Sequence, residues 1–225
     1  MAAYDLEEQE QLESIKAWWK QYGNLITYVV IVVSVAVLAF QAWNWYQRGQ
    51  SAKAAAVFEV LQRSIGAHDA QREKAAIGEL VQNFSGTPYA ALGAMLAARS
   101  AADAGDLKTA QTQLQWVAEH GKDELKDVAR LRLVAVLLDQ KAYDEALKQL
   151  DATPGAAFAG RYAEAKGDVL VAQGKAGEAR AAYQLALGKL EEGAKSGNES
   201  AQQAQIAGTA KQLLQQKLDA LGDAK

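Results

Sequence analysis

Apolar residues first become periodic in "EEQEQLESIKAWWKQYG". Leu12, Ile15, Trp19 and Tyr22 recur at i, i+3, i+7 and i+10, one face of a helix. Its acidic residues come early and its lysines late, which suits the helix dipole. An unbroken apolar run follows. Leu25 to Phe40 is 16 residues without charge, Gly or Pro, set between Trp18 and Trp19 on one side and Trp43 and Trp45 on the other. Counted to Trp45 the stretch holds 21 residues, about 31 Å as a helix, close to the ~30 Å hydrocarbon core of a bilayer. Thr27 and Ser34 can return their hydroxyls to the helix's own carbonyls. Trp and Tyr favour the water–lipid boundary, because an apolar ring carries a donor that needs a partner. Trp18, Trp19 and Tyr22 therefore mark one expected interface, and Trp43 and Trp45 the other.

Two other readings compete. A buried core helix would be amphipathic and would lack aromatic belts at both ends. A cleaved signal peptide needs a basic start, and a small-x-small site close behind a shorter apolar run. Here five acidic residues accompany Lys16 and Lys20 before Asn24, and the triplet Ala52-Lys53-Ala54 lies far beyond the run. The pattern predicts an uncleaved transmembrane signal anchor over residues 25–46, preceded by an amphipathic tail, residues 1–24. The tail reads as a helix along the lipid surface, or as a docking helix for a membrane partner.

After the anchor the pattern becomes pairs of short helices. Pro88 after "NFSGT" and Pro154 in "DATPG" fall at breaks, and Gly105 and Gly174 read as helix ends before turns. The helices repeat. In "QGKAGEARAAYQLALGKL", Ala179, Tyr183 and Ala186 have the small–aromatic–small spacing of a second tetratricopeptide helix, and Gly167 sits in the matching first helix where the two must approach. Upstream, Ala146, Leu150 and Thr153, then Ala110, Leu114 and Val117, then Ala76, Leu80 and Asn83 take the same places. Ala76, Ala110, Ala146 and Ala179 are 34, 36 and 33 residues apart, against a period of about 34 for this repeat. Residues 47–192 are thus predicted to form about four degenerate helical hairpins stacked into a solenoid, since one hairpin cannot bury its own face. An alanine-rich bundle with accidental spacing is the alternative. Residues 193–225 read as a linker and a C-terminal capping helix with Ile206, Leu213, Leu214, Leu218 and Leu221, the linker centring on "EEGAKSGNES". The fold class is all-α.

A solenoid of this kind lines a groove with its first helices. The register places Phe58, Leu61, Met95, Arg99, Leu131, Arg132, Leu138, Arg161 and Glu164 toward it. Apolar side chains with several arginines suit an extended peptide, whose carboxylates the arginines would fix. Inter-repeat core or solvated surface is the plain alternative for each.

Charge and composition narrow the function. The net charge of −3 belongs to the tail, leaving 22 residues of each sign beyond it, so no basic excess suggests nucleic acid. The absence of cysteine excludes disulfides, thiol catalysis and zinc–thiolate sites. His68 and His120 lack a second ligand at metal spacing, and no nucleophile elbow, Walker loop or dinucleotide fingerprint appears. His120 before Gly121 reads as a helix-end residue. The sequence implies no enzyme, cofactor or metal.

The tail, the aromatic pairs, the anchor and the repeats together resemble the YfgM family of ancillary SecYEG translocon subunits. The likeness is strongest in "TPYAALGAMLAARSAADAGDLKTAQTQLQ", "LKDVARLRLVAVLLDQKAYDEALKQLD" and "AKGDVLVAQGKAGEARAAY", and the Ala/Gln-rich C-terminus is the least similar part. The resemblance implies a single-pass inner-membrane protein with a cytoplasmic N-terminus and a periplasmic repeat domain. Its implied partners are SecYEG, a membrane-anchored periplasmic chaperone of the prolyl-isomerase class, and nascent exported polypeptides that it helps hand over; a link to an envelope stress response is implied more weakly. Charge does not fix the orientation: Lys16 and Lys20 precede the anchor, while Arg48, Lys53 and Arg63 follow it. Two rival readings are a tethered scaffold of an envelope complex that touches no substrate, and a cytosol-facing receptor for targeting peptides.

Overall fold

The computed structural model describes residues 2–195 and 201–222. Among them it forms nine α-helices and a single 3-10 turn, Ala156–Phe158. The helices are α1 (Ala2–Gly66), α2 (Ala70–Asn83), α3 (Pro88–Asp103), α4 (Leu107–His120), α5 (Glu124–Asp139), α6 (Tyr143–Leu150), α7 (Ala159–Ala172), α8 (Ala176–Lys195) and α9 (Ala201–Ala220). Two compact units divide the chain, Met1–Ala52 and Lys53–Lys225.

The first unit is helical, and from Leu25 to Phe40 its helix carries no charged residue on any side. Leu25, Val30, Val35 and Leu38 are all more than half exposed, and none of the most apolar window is buried. A core helix of a soluble domain would bury that surface, so this helix is one long and apolar enough to cross a membrane. Thr27 donates its hydroxyl to the Gly23 carbonyl at 2.8 Å. The Trp18 ring meets those of Trp19 and Tyr22 at 6.5 and 5.8 Å, and Trp43 meets Tyr46 at 6.3 Å. Gly23 makes room for an indole: a Cβ there would lie 3.1 Å from the Trp19 ring.

In the second unit one turn recurs four times and builds the repeat. Asp69 N–H donates to Ser64 O, Asp106 to Ala101, Ala142 to Leu137 and Lys175 to Leu170. Each turn has a residue at positive φ: His68 (54°), Gly105 (79°), Lys141 (60°) and Gly174 (75°). Glycine adopts that conformation freely and the other two residue types do so at a cost, which is why only Gly105 and Gly174 betray the turn in the sequence. The hairpins so formed are the end of α1 with α2, α3 with α4, α5 with α6, and α7 with α8. Asp69 and Asp106 also cap their helices, accepting from Arg72 N–H at 3.1 Å and Thr109 N–H at 3.0 Å. Pro88 is the first residue of α3, where its missing donor costs nothing.

The turns correct the first repeat's register. Ala110, Ala146 and Ala179 are equivalent, as expected, but Glu73 rather than Ala76 takes their place, because the turn residues His68 and Gly105 are 37 apart. Ile77 and Leu80, not Leu80 and Asn83, then match Leu114 and Val117, and all four are buried. Gly167 meets the expectation: a Cβ there would collide with the Tyr183 ring.

The expected linker is corrected in part. Glu191–Lys195 continue α8, and the rest of "EEGAKSGNES", residues 196–200, lies outside the described residues, as does the chain end beyond 222. Helix α9 covers the last hairpin with Leu214 (1% exposed) and Leu218 (8%), packed with Ala163, Tyr183 and Ala186.

Candidate partner-binding face

Equivalent turns make equivalent helix positions. Phe58, Met95, Leu131 and Glu164 occupy one position in the four first helices, counted from their turns, and so lie on one face of the stack. Phe58 and Leu131 are half-buried. Met95 belongs largely to the core at 8% exposed. Phe58 packs on Tyr89, ring centroids 5.8 Å apart, a residue the sequence pattern did not single out. Arg99, Arg132 and Arg161 are exposed, and Arg99 meets Asp103 at 3.7 Å.

Leu61 is not on this face. It is fully buried, equivalent to Ala98 rather than to Met95, and fills the space beside Gly93. Leu138 is half-buried and packs against the second core cluster, around Leu133 and Leu137. Of the expected anchors in the first unit, Trp18, Trp19, Tyr22, Trp43 and Trp45 are all exposed.

Two polar clusters shape the C-terminal half. Asp127, 7% exposed, accepts from Tyr162 Oη at 2.8 Å and from Gly155 N–H at 2.9 Å, while Arg130 lies 4.0 Å away. This ties the loop before α7 to the start of α5. Burial, and next the bond to Asp127, push the Tyr162 phenol up to about 12. The second cluster gathers round Lys217 of α9. Its Nζ reaches Glu164 Oε1 at 2.8 Å and both Asp168 oxygens at 2.7 and 2.9 Å. It also lies 5.6 Å from the centre of the Tyr183 ring, whose hydroxyl donates to Asp168 at 2.8 Å. Burial opposes the charge on Lys217, but hydrogen bonds to Asp168 and Glu164 outweigh it and raise the pKa. Glu164, expected to face a ligand, therefore holds the chain's own cap. Sequence spacing does not suggest either cluster, since the bonds to Asp127 from Gly155 and Tyr162 and those from Lys217 to α7 join residues 28 to 53 apart.

Elsewhere, a cleft of about 540 Å³ opens among α2, α3 and α4, lined by Ile77, Ala97, Ala101 and Gln113 among others. None of the predicted groove residues lines it. His120 sits at its helix end as the sequence suggests, with Nδ1 3.0 Å from Trp116 O and its ring stacked on Trp116. Among the described residues no group of three or more His, Asp or Glu could hold a metal ion.

Residues 16–223 match the family model of the tetratricopeptide repeat-like domain. The chain is similar to the ancillary SecYEG translocon subunit of Neisseria gonorrhoeae, 33% identical over 223 residues, covering 98% of this chain and 100% of that protein. It is also similar to the proteins of that name from Haemophilus influenzae, 31% identical over 82% of this chain and 90% of the relative, and Escherichia coli, 27% over 80% and 87%. No solved structure matches the chain at a significant level.

Proposed function

The chain belongs to the tetratricopeptide repeat-like family of ancillary SecYEG translocon subunits, the YfgM family, and from that premise we propose that it is a membrane-anchored, non-catalytic adaptor at the translocon. The observation that carries this reading is the 33% identity sustained from tail to cap; an apolar helix and a stack of hairpins alone would fit many tethered proteins. In the proposed arrangement the N-terminus is cytoplasmic, the span lies in the inner membrane, and the repeats face the periplasm. There they receive exported polypeptides and pass them to a membrane-anchored chaperone of the prolyl-isomerase class. The face carrying Phe58 and Leu131, with Arg99, Arg132 and Arg161 exposed, offers half-buried apolar contacts and guanidinium forks for the carboxylates of an extended chain.

Co-purification of the full chain from membranes in mild detergent tests this, beside a version with residues 25–45 replaced by an unrelated span. Recovery of translocon subunits and a periplasmic chaperone with the native protein is the expected result. Their loss on the exchange assigns channel contact to the span. Recovery of neither leaves the tethered-scaffold reading in its place.

A further inference from the structure

The repeat stack is covered at its C-terminal end by α9, but its N-terminal end is open. Ser64 holds the place in its turn that Ala101 holds in the next. Ala56, Val57 and Val60 of α1 therefore stand where Gly93, Ala94 and Ala97 stand on α3. On α3 those positions are closed: Ala94 is 0% and Ala97 3% exposed, and a Cβ on Gly93 would come within 2.6 Å of Leu80 and 3.6 Å of Ile77. What closes them is the edge of α2 made by Ile77 and Leu80. On α1 the same face is open at Ala56 and Val60, while Val57 is half-buried against the first core cluster. Val60 is 43% exposed, and with Ala56, Val57, Ala75 and Glu79 it lines a depression of about 380 Å³.

The established contact between the first two hairpins says what fits there, because the open face continues that same stacking interface by one step. The covering element is a helix with two large aliphatic residues three apart. Charge adds a further requirement. Glu73, four residues before Ile77, accepts from Ser100 of α3 at 3.2 Å, and Arg63 takes the place of Ser100 on the open face. A helix seated as α2 is seated would bring an acidic residue to Arg63. That arginine now meets Glu59 at 2.8 Å with both side chains at least 65% exposed, a pair weak enough to exchange.

We propose that the N-terminal end of the repeat stack is a docking socket for an amphipathic helix of a separate membrane-anchored partner, one that carries an acidic residue and two aliphatic residues in the spacing of Glu73, Ile77 and Leu80. This rests on the adaptor reading and names the surface through which the protein holds its partner. A second copy of the chain is a poor occupant. Its edges of this kind in the repeat stack are covered, with Ile77 at 7%, Leu80 at 0%, Leu114 at 3% and Val117 at 0% exposed, and the exposed tail pair of that spacing, Leu12 and Ile15 with Glu8 four residues earlier, lies across the membrane from the repeats in the proposed arrangement. The exposed aliphatics of α9, Ile206 and Leu213, are seven apart rather than three.

The test is photo-crosslinking in native membranes from the full-length protein, with the reactive residue at Ala75, on the rim, and separately at Arg161 as a control. One membrane-protein adduct at Ala75 is expected, its crosslinked segment a helix of the stated spacing. Val60→Asp lowers its yield about tenfold, which corresponds to a tenfold change in affinity, while leaving the Arg161 products and the thermal melt unchanged. Ala56→Glu, at an exposed site, does the same without touching the core, so a misfolded Val60→Asp does not spare the proposal. An adduct that is a second copy of this chain, lipid adducts alone, a partner segment without the aliphatic pair, or a yield indifferent to both substitutions overturns it. The two readings fail separately. Translocon subunits recovered without a socket adduct sink the socket alone, whereas a partner adduct without any translocon subunit sinks the adaptor reading.

Discussion

A methyl group added at Gly167 would collide with the Tyr183 ring, and the ring has little freedom to withdraw because its hydroxyl is held by Asp168. Gly167→Ala should therefore destabilise the repeat domain by about 2 kcal/mol, the usual scale of overpacking, although alanine is the better helix former. In a Tyr183→Leu background the added methyl should cost less, and a denaturation double-mutant cycle reads the coupling; strict additivity would show that the ring is not the obstacle. Asp127 poses the opposite problem, a buried acceptor serving two donors. Asp127→Ala leaves the Tyr162 hydroxyl and Gly155 N–H without their acceptor, at a cost of about 1–3 kcal/mol. The same pair carries a pH dependence. The folded chain holds the Tyr162 proton more tightly, at about 12 against 10.0 for an ordinary tyrosine. Its contribution is therefore complete below the unfolded value and is lost as pH rises through the folded one. Tyr183 and Lys217 are raised as well, so stability should fall steeply above about pH 10. Tyr162→Phe should flatten that limb in urea titrations; a wild-type profile level from about pH 9 to 12 would refute the argument.

The helices show why some of this was legible in the sequence and some was not. The hairpins from α3 to α8 could be read because Ala110, Ala146 and Ala179 follow turns whose backbone is the same, and two of those turns carry glycine. The first repeat's register is hidden in the sequence because His68 holds the positive-φ position without announcing it, and buried Ala76 imitates the key alanine one helical turn on. The end of α8 reads as linker in the sequence because Gly193 and two glutamates suggest a break that the helix does not make. Among the groove residues, Leu61 departs from its expected place for a related reason: apolar spacing marks a buried face but not which neighbour buries it. The lock between α7 and α9 lay beyond reading, since it joins residues 49 and 53 apart through side chains alone. That lock makes a prediction for the element it holds. Lys217→Met removes three polar contacts that solvent partly screens, so it should cost about 1 kcal/mol. The loss should be local, with faster amide exchange in α9 and unchanged protection in α3 to α5, because stacked repeats couple mainly to their neighbours. Uniform loss of protection along the stack would show α9 to be integral to the whole rather than a cap.

For the whole molecule, the position of the core decides what can stand alone. Among the described residues, every buried hydrophobic side chain lies at Ala54 or later, while the large apolar residues from Leu12 to Tyr46, the half-buried Ile26 aside, are exposed to the extent that only lipid or a partner would cover them. Burial of apolar surface is the main term that holds a domain together. The second unit thus has what folding requires. Residues 53–225 expressed alone should accordingly be soluble without detergent and strongly helical. Their melting midpoint should lie within about 3 °C of that of the repeat domain in the detergent-solubilised full chain, a difference worth less than ~1 kcal/mol at this size. The first unit should need detergent or lipid, because a surface of leucine, valine and tryptophan this continuous associates in water. A fragment 53–225 that aggregates, or that melts far below the full chain, would mean that residues before Lys53 complete the repeat domain. The apolar segment would then be part of the folding unit, whereas a soluble fragment with an unchanged midpoint is what the location of the buried side chains leads us to expect.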